Sequence, residues 1–412
     1  MTSPSRYAAS RGLLARARRV IPGGHHLSGR PFLDEETSPL YFTRGAGCRI
    51  WDADGHEYID YLMGYGALLL GYAHEEVNAR VALQAAQGNL LSLNHPLHVA
   101  FIEELLRRFP AADRGIFFRT GSEATTAALR IARRHTGRQG VARCGYHGWH
   151  DWCLAGEPSV PTFGEQVLSF DARSPESLEE LLDKHGSSIA AVIVAPEMIH
   201  PPDRHRLLAL QELTGRAGAV FVLDEVKTAF RAPSGSMQQL FGLEPDITTL
   251  SKGLSNGWPA AALVGKAAVL RAAEGLHLSA TYHGETASLA AALATLHVLE
   301  RDSVPEHVDS LGRTLIDGLN EAARDHGIAA RAYGEPLPCM PFLAFEEPAG
   351  VRDTFFRELL ARGVLLHPRH MGFLSAAHTE ADVAQTVDAA RDAFRCARAE
   401  KEKGDALQRA GA

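Results

Sequence analysis

Apolar positions along the chain follow two rhythms. In residues 189–197 ("IAAVIVAPE") and 219–226 ("AVFVLDEV") they run almost unbroken for the length of a strand, as expected where both faces of a parallel sheet are covered. Residues 246–253 ("DITTLSKG") read as a third, weaker strand running into a loop. Between the first two, "RLLALQELTGRAG" spaces leucines at helical intervals and ends on glycine. This strand–helix–strand alternation predicts an α/β domain over roughly residues 70–295. The flanks have another pattern. Residues 44–62 alternate around Asp54-Gly55, a hairpin signal, and residues 296–412 mix helices with short strands such as "CMPFLAFEE". A small domain built from both termini accounts for this, with residues 1–69 contributing to it and to the pocket, and 296–412 completing it. "YAASRGLLARARRVIPGG" predicts an amphipathic helix stopped by Pro22-Gly23-Gly24, and the charged tail "RAEKEKGDALQRAGA" is expected to fray.

Composition narrows the function class. A length of 412 residues suggests about two domains, and 45% apolar with 22% charged residues is ordinary for a globular protein. A net charge of −7 gives no general affinity for nucleic acid or anionic membrane. Five scattered cysteines without a C-x-x-C pair fit a reducing cytoplasm. No apolar run approaches the ~20 residues that span a bilayer. The six arginines and no acid in the first 33 residues resemble a transit peptide, but the same stretch reads more simply as the amphipathic helix.

Four local features carry chemistry. Thr120 followed by Glu123 is a capping box, so a helix begins at or near Gly121, and the backbone N–H groups of Gly121 and Ser122 suit a phosphate. The plainer alternative is a capped helix that binds nothing. Asp224 closes a buried strand at the sheet edge where α/β proteins place ligands, and strand alternation puts Val226 on its face with Glu225 and Lys227 opposite. Such a carboxylate either makes a core ion pair or holds a protonated ring nitrogen while Val226 packs on the ring. Lys252 sits among small, turn-forming residues in "TLSKGLSNGWP", where partial desolvation makes an amine able to form a Schiff base. Tyr146 of "GYHGWHD" is available to stack on a planar ring. Phosphate cradle, ring carboxylate, imine lysine and stacking aromatic together are the parts of a pyridoxal-phosphate site.

Competing signals are weaker. His147, His150 and Asp151, or His95 and His98, lack metal-ligand spacing, so no metal is expected. "APSGSMQQ" is not a nucleophile elbow, and no P-loop is present.

"GSEAT", "YHG", "DEV-x-T-x-F-R" and "SKG…G-x-P" keep the order and spacing of a known family. In them the chain resembles the class III pyridoxal-phosphate aminotransferases, in the branch of glutamate-1-semialdehyde aminomutase. The likeness runs from "VIPGG" at 20–24 to "SAAHTEADVAQTVDAARDAF" at 375–394. It implies a fold-type-I transferase, with a large domain around a mostly parallel seven-stranded sheet and a small α+β domain. It implies Lys252 as Schiff-base lysine and proton shuttle, Asp224 on the pyridine nitrogen, Val226 and Tyr146 about the ring, and Gly121 and Ser122 on the phosphate. It further implies a homodimer with shared sites, in which Thr281 reaches the phosphate of the neighbouring subunit. Arg30 matches an arginine that meets a substrate carboxylate, and Tyr65 falls at the pocket wall.

The chain also departs from that branch. "LHPRHMGFLSAAH" (366–378) puts Arg369 and His370 where the aminomutase carries an acidic stretch, which suggests an acidic group on the substrate unless Arg369 is merely solvated. The segment after "YHGWHD" is shorter than the aminomutase's lid. Ala195-Pro196 replaces Glu-Pro, so Glu197 or His200 takes over that contact. The expected activity is an aminotransferase moving an amine, α, β or otherwise displaced, from a small amino acid to a keto or aldehyde acceptor. The alternatives are an aminomutase or epimerase and, from another class, a non-catalytic cofactor-binding or regulatory protein. Neither nucleic acid nor membrane is an expected partner.

Overall fold

The protein is described by a computed structural model covering residues 6–26, 41–154, 166–196 and 203–410. Two compact units emerge, Met1–His74 together with His307–Ala412, and Glu75–Glu306. The first unit opens with a helix, Ala8–Ala17, and three antiparallel strands, β1 (Phe42–Ala46), β2 (Arg49–Asp52) and β3 (Glu57–Asp60). The Asp54-Gly55 turn joins β2 to β3. Gly55 there takes φ +89, and the Asp52 carboxylate accepts from the N–H groups of Asp54 and His56.

The second unit holds seven strands: β4 (Arg114–Phe118), β5 (Gly140–Cys144), β6 (Val167–Ser169), β7 (Ile189–Val194), β8 (Val220–Asp224), β9 (Ile247–Leu250) and β10 (Ala261–Gly265). Their order is β4-β10-β9-β8-β7-β5-β6. β10 runs antiparallel to both its neighbours, and the other pairings are parallel. Every residue of β7 and β8 is buried, which explains their unbroken apolar sequence. The helix Gly121–Thr136 lays Ala124, Ala127, Ala128 and Ile131 into a core with Ile193, Val222, Ile247 and Leu263. Alanines on that face let the helix lie close to the sheet. The helix Arg204–Arg216 links β7 to β8, its N-terminus capped by the Asp203 carboxylate accepting from the Arg206 N–H at 3.0 Å.

The first unit is completed by β11 (Ala330–Tyr333), paired antiparallel with β12 (Phe342–Phe345), and by β13 (Val364–Leu365), parallel to β3. One expectation is corrected here. The charged tail does not fray, because Glu380–Ala410 is one continuous helix. Its charges stand at helical spacing, with Arg398 Nε 2.9 Å from Glu402 Oε1, and Lys401 Nζ lies 2.6 Å from the buried Glu347 carboxylate. No helix among the described residues is long and apolar enough to cross a membrane.

Candidate active site

The carboxyl ends of the parallel strands lie along one side of the sheet, and β5, β8 and β9 there run into the segments that carry Tyr146, Val226 and Lys252. Two glycines show how closely these loops meet. A Cβ on Gly121 would lie 2.9 Å from Val226 Cγ1 and 3.6 Å from Ser251 Cβ. Gly148 takes φ +109, and a Cβ there would lie 2.2 Å from Ser122 Oγ. Gly121, Ser122, Gly148, Val226 and Ser251 therefore form one cradle that side chains at the glycines would fill. The capping box at its floor has Thr120 Oγ1 accepting from the Glu123 N–H at 3.3 Å and Glu123 Oε2 accepting from the Thr120 N–H at 2.9 Å. The N–H groups of Gly121 and Ser122 lie outside that exchange, at the positive end of a 16-residue helix.

Asp224 is buried at the end of β8 and oriented from three sides. Its Oδ1 accepts from Thr249 Oγ1 at 2.9 Å, across the parallel pairing of Asp224 with Thr249, and from the Val226 N–H at 3.1 Å. Its Oδ2 lies 2.7 Å from Nδ1 of buried His147. The other ring nitrogen, Nε2, lies 3.0 Å from the Cys144 carbonyl, which can only accept, so Nε2 bears a proton. Trp152 stacks on the imidazole at 5.9 Å and fixes its plane.

Strand alternation does not extend past Asp224. Val226 lies in a turn, and its N–H folds back onto Asp224. Glu225 turns instead to the helix Met237–Phe241, accepting from the N–H groups of Met237 at 2.8 Å and Gln238 at 2.9 Å and from Thr228 Oγ1 at 3.1 Å. Complete burial nevertheless outweighs these donors and pushes the Glu225 pKa up to about 7 from 4.5. The folded protein thus binds the Glu225 proton more tightly than the unfolded chain does. Its contribution to stability is full below pH 4.5 and is lost as pH rises through about 7. Half-buried His367 and buried His378, both lowered to about 4, act in the opposite direction over an overlapping range, so a difference measurement is needed. Glu225→Gln is expected to gain on the order of 3 kcal/mol relative to the wild type across that window. Urea unfolding of both proteins at pH 5 and pH 8 checks this, and equal slopes with pH would refute it.

Lys252 follows β9 in a left-handed conformation, φ +48, which costs a non-glycine residue about 1 kcal/mol. The turn around it maintains that conformation. Ser251 Oγ donates to the Ala260 carbonyl at 2.9 Å, Ser255 Oγ donates to the Trp258 carbonyl, and Asn256 ends the turn at φ +46. The small and turn-forming neighbours in the sequence are therefore what hold one lysine in a half-buried place at the sheet edge. The chain's other lysines are Lys184, Lys227, Lys266, Lys401 and Lys403. Of these, Lys266 lies 2.9 Å from Asp246 and Lys401 pairs with Glu347.

Tyr146 lies between positive-φ Gly145 and His147, with 64% of its surface exposed. Thr281 is exposed in the turn closed by the His283 N–H on the Ala280 carbonyl at 3.1 Å. Tyr65 and Arg369 belong to the other unit. Tyr65 takes φ +56, and its ring meets His370 edge-on at 5.4 Å. The exposed Arg369 donates its backbone N–H to His367 Nδ1 at 3.0 Å. Burial first, then His370 and Arg369, lower the His367 pKa to about 4. Arg30, Glu197 and His200 fall outside the described residues.

Sequence reasoning gave no role to Thr249 or Gly148 and weighed His147 only as a metal ligand. For the latter two, the "YHG" spacing next to a strand end was the available signal. Among the described residues no group of three His, Cys, Asp or Glu side chains could hold a metal ion. His95 and His98 instead cap the helix Pro96–Arg108.

Comparison with known proteins agrees with this geometry. The family described as Aminotransferase class-III matches residues 33–380. The 3-aminobutyryl-CoA aminotransferase of Cloacimonas acidaminovorans (strain Evry) is 32% identical, covering 96% of this chain and 98% of its own. A glutamate-1-semialdehyde 2,1-aminomutase of Thermus thermophilus is 35% identical, covering 92% and 97%. Among solved structures, the FumI protein of Sphingopyxis sp. MTA144 in its PLP internal aldimine form superposes with a TM-score of 0.88 at 30% identity, covering 94% of this chain and 95% of that one. Likeness of this extent settles what the motifs resemble: the chain belongs to the class III aminotransferases and is a pyridoxal-phosphate-dependent enzyme.

Proposed function

We propose that the enzyme moves the amino group of a small amino acid to a keto or aldehyde acceptor, with Lys252 as the covalent anchor of the cofactor and the carrier of the transferred proton. The observation behind this reading is the buried Asp224, held by Thr249, Val226 and His147 at the strand end beside the one that leads to Lys252. When bound, pyridoxal phosphate supplies an electron sink for the carbon that loses its proton. Gly121 and Ser122 would hold its phosphate, Asp224 the proton of its ring nitrogen, and Val226 and Tyr146 the faces of its ring. The Asp224 carboxylate, oriented in advance by its three partners, favours positive charge where it is needed without reorganising. The Lys252 amine would take the proton from the substrate carbon and hold it for return.

The reading includes a homodimer in the cytoplasm. Exposed Leu93 and Val99 lie along a segment tied to the 280–286 turn through His98 Nε2, 3.3 Å from the Gly284 carbonyl, and that turn exposes Tyr282. Apolar side chains of this kind support a covered subunit face from which Thr281 serves the neighbouring site. The relative named for 3-aminobutyryl-CoA supports a β-amino substrate, and the exposed Arg369 beside two histidines, with Arg30, supports an acidic group on it. Gly148→Ala is expected to weaken pyridoxal-phosphate binding at least ~10-fold, because the new methyl displaces Ser122 Oγ from the cradle. Titration of the apoprotein measures this.

The activity itself is tested by mixing holoenzyme, without acceptor, with α-, β- and ω-amino acids and following products by mass spectrometry. One keto product per cofactor establishes transamination and names the donor. An accumulating isomer of the added compound would instead make this an aminomutase or an epimerase, and the 35% identical Thermus relative supports the former.

A further inference from the structure

One charged side chain outside the assigned site is joined to three of the loops that build it. Arg119 follows β4 directly before the capping box, with its side chain 10% exposed. Its guanidinium donates to Glu285 Oε2 at 2.8 Å, to the Glu285 carbonyl at 3.0 Å, to the Pro259 carbonyl at 3.3 Å and to the His283 carbonyl. Its backbone N–H donates to Glu123 Oε2 at 2.9 Å, the same oxygen that holds the Thr120 N–H. Glu123 Oε1 in turn lies 3.5 Å from His283 Nε2. The helix terminus at Gly121 and Ser122, the loop from Lys252 to Pro259, and the 280–285 turn bearing Thr281 therefore meet on one residue.

The planar guanidinium spreads its five donors over three nitrogens and so reaches acceptors on separate segments together, whereas the three donors of a lysine all sit on one nitrogen. Burying a cation is costly: desolvation holds the Arg119 pKa below its ordinary value, and Glu285 and Glu123 offset only part of that cost. The far end of the turn has its own anchors, since Asn89 accepts from the Thr286 N–H through its carbonyl and from the Ala287 N–H through its side chain. Arg119 acts at the near end, toward Thr281.

We propose that Arg119 is a positioning residue for the phosphate contact that Thr281 makes in the neighbouring subunit's site: by fixing the 280–285 turn on the terminus of its own Gly121–Thr136 helix, it sets the conformation in which the turn presents Thr281, so that the turn's conformation and cofactor retention are coupled. This rests on the assignment of the phosphate to Gly121, Ser122 and Thr281 made above. Arg119 itself touches neither cofactor nor substrate.

The test is a double-mutant cycle on full-length apoprotein, using Arg119→Met, Thr281→Ala and the pair, each titrated with pyridoxal phosphate and with pyridoxal, which lacks the phosphate. Arg119→Met is expected to weaken pyridoxal-phosphate binding ~10-fold and pyridoxal binding less than ~2-fold, and its effect should largely vanish in the Thr281→Ala background. Arg119→Lys, which retains the charge but not the fork, should show the same selective loss in smaller degree, and it carries the test where the methionine variant unfolds. Equal weakening of both ligands, or losses that simply add, would overturn the proposal and leave Arg119 a general stabiliser. Wild-type affinity in Thr281→Ala would overturn the phosphate assignment and this proposal with it. A wild-type protein that binds neither ligand would contradict the cofactor site itself.

Discussion

Lys252→Ala should lower turnover at least ~10⁴-fold, since one amine is assigned both the nucleophile's and the proton carrier's work. The fold should survive the change. Alanine retains a Cβ, so the left-handed strain at φ +48 stays as it is, and the Ser251 and Ser255 hydroxyl bonds that hold the turn remain. Single-turnover measurements with an excess of amino donor read the loss, and thermal unfolding reads the fold. Residual activity within ~10-fold of the wild type would remove Lys252 from the chemistry.

Asp224→Asn is the second large effect, on the order of 10³-fold in kcat. The asparagine side chain has nearly the same shape and still accepts from Thr249 and Val226, so packing changes little. What it loses is the charge proposed to hold a proton on the ring nitrogen, and its amide group meets His147 in place of a carboxylate oxygen. Turnover, together with the ¹⁵N shift of ring-labelled pyridoxal phosphate bound to each protein, separates loss of the ring proton from loss of fold. An unchanged ¹⁵N shift would mean that Asp224 does not set the ring's protonation.

Much of the large unit was legible because parallel strands buried on both faces write their pattern plainly, as in 189–194 and 220–224. β13 was not, since two residues are too few for any period, and nothing in "AALVG" announces that β10 runs against its neighbours. The tail misled because charge density reads as solvation, whereas the Lys401 and Glu347 pair that anchors it joins residues 54 apart. In the site, Asp224, Lys252, Gly121 and Ser122 stood out through strand ends and a capping box, which are local signals. His147 did not, because its meaning comes from Asp224, 77 residues away, brought near only by the order of the strands. Arg119 escaped for the same reason, as its acceptors on Pro259 and Glu285 lie 140 and 166 residues along the chain.

The most direct test of the central claim is to reduce holoenzyme with borohydride, which fixes the cofactor on the amine that carries it, and to locate the label by peptide mass spectrometry. Six lysines make the answer unambiguous. The account predicts a single cofactor adduct on Lys252, absent from Lys252→Ala. An adduct on Lys227 or Lys266, or a holoenzyme that takes no label, would contradict it.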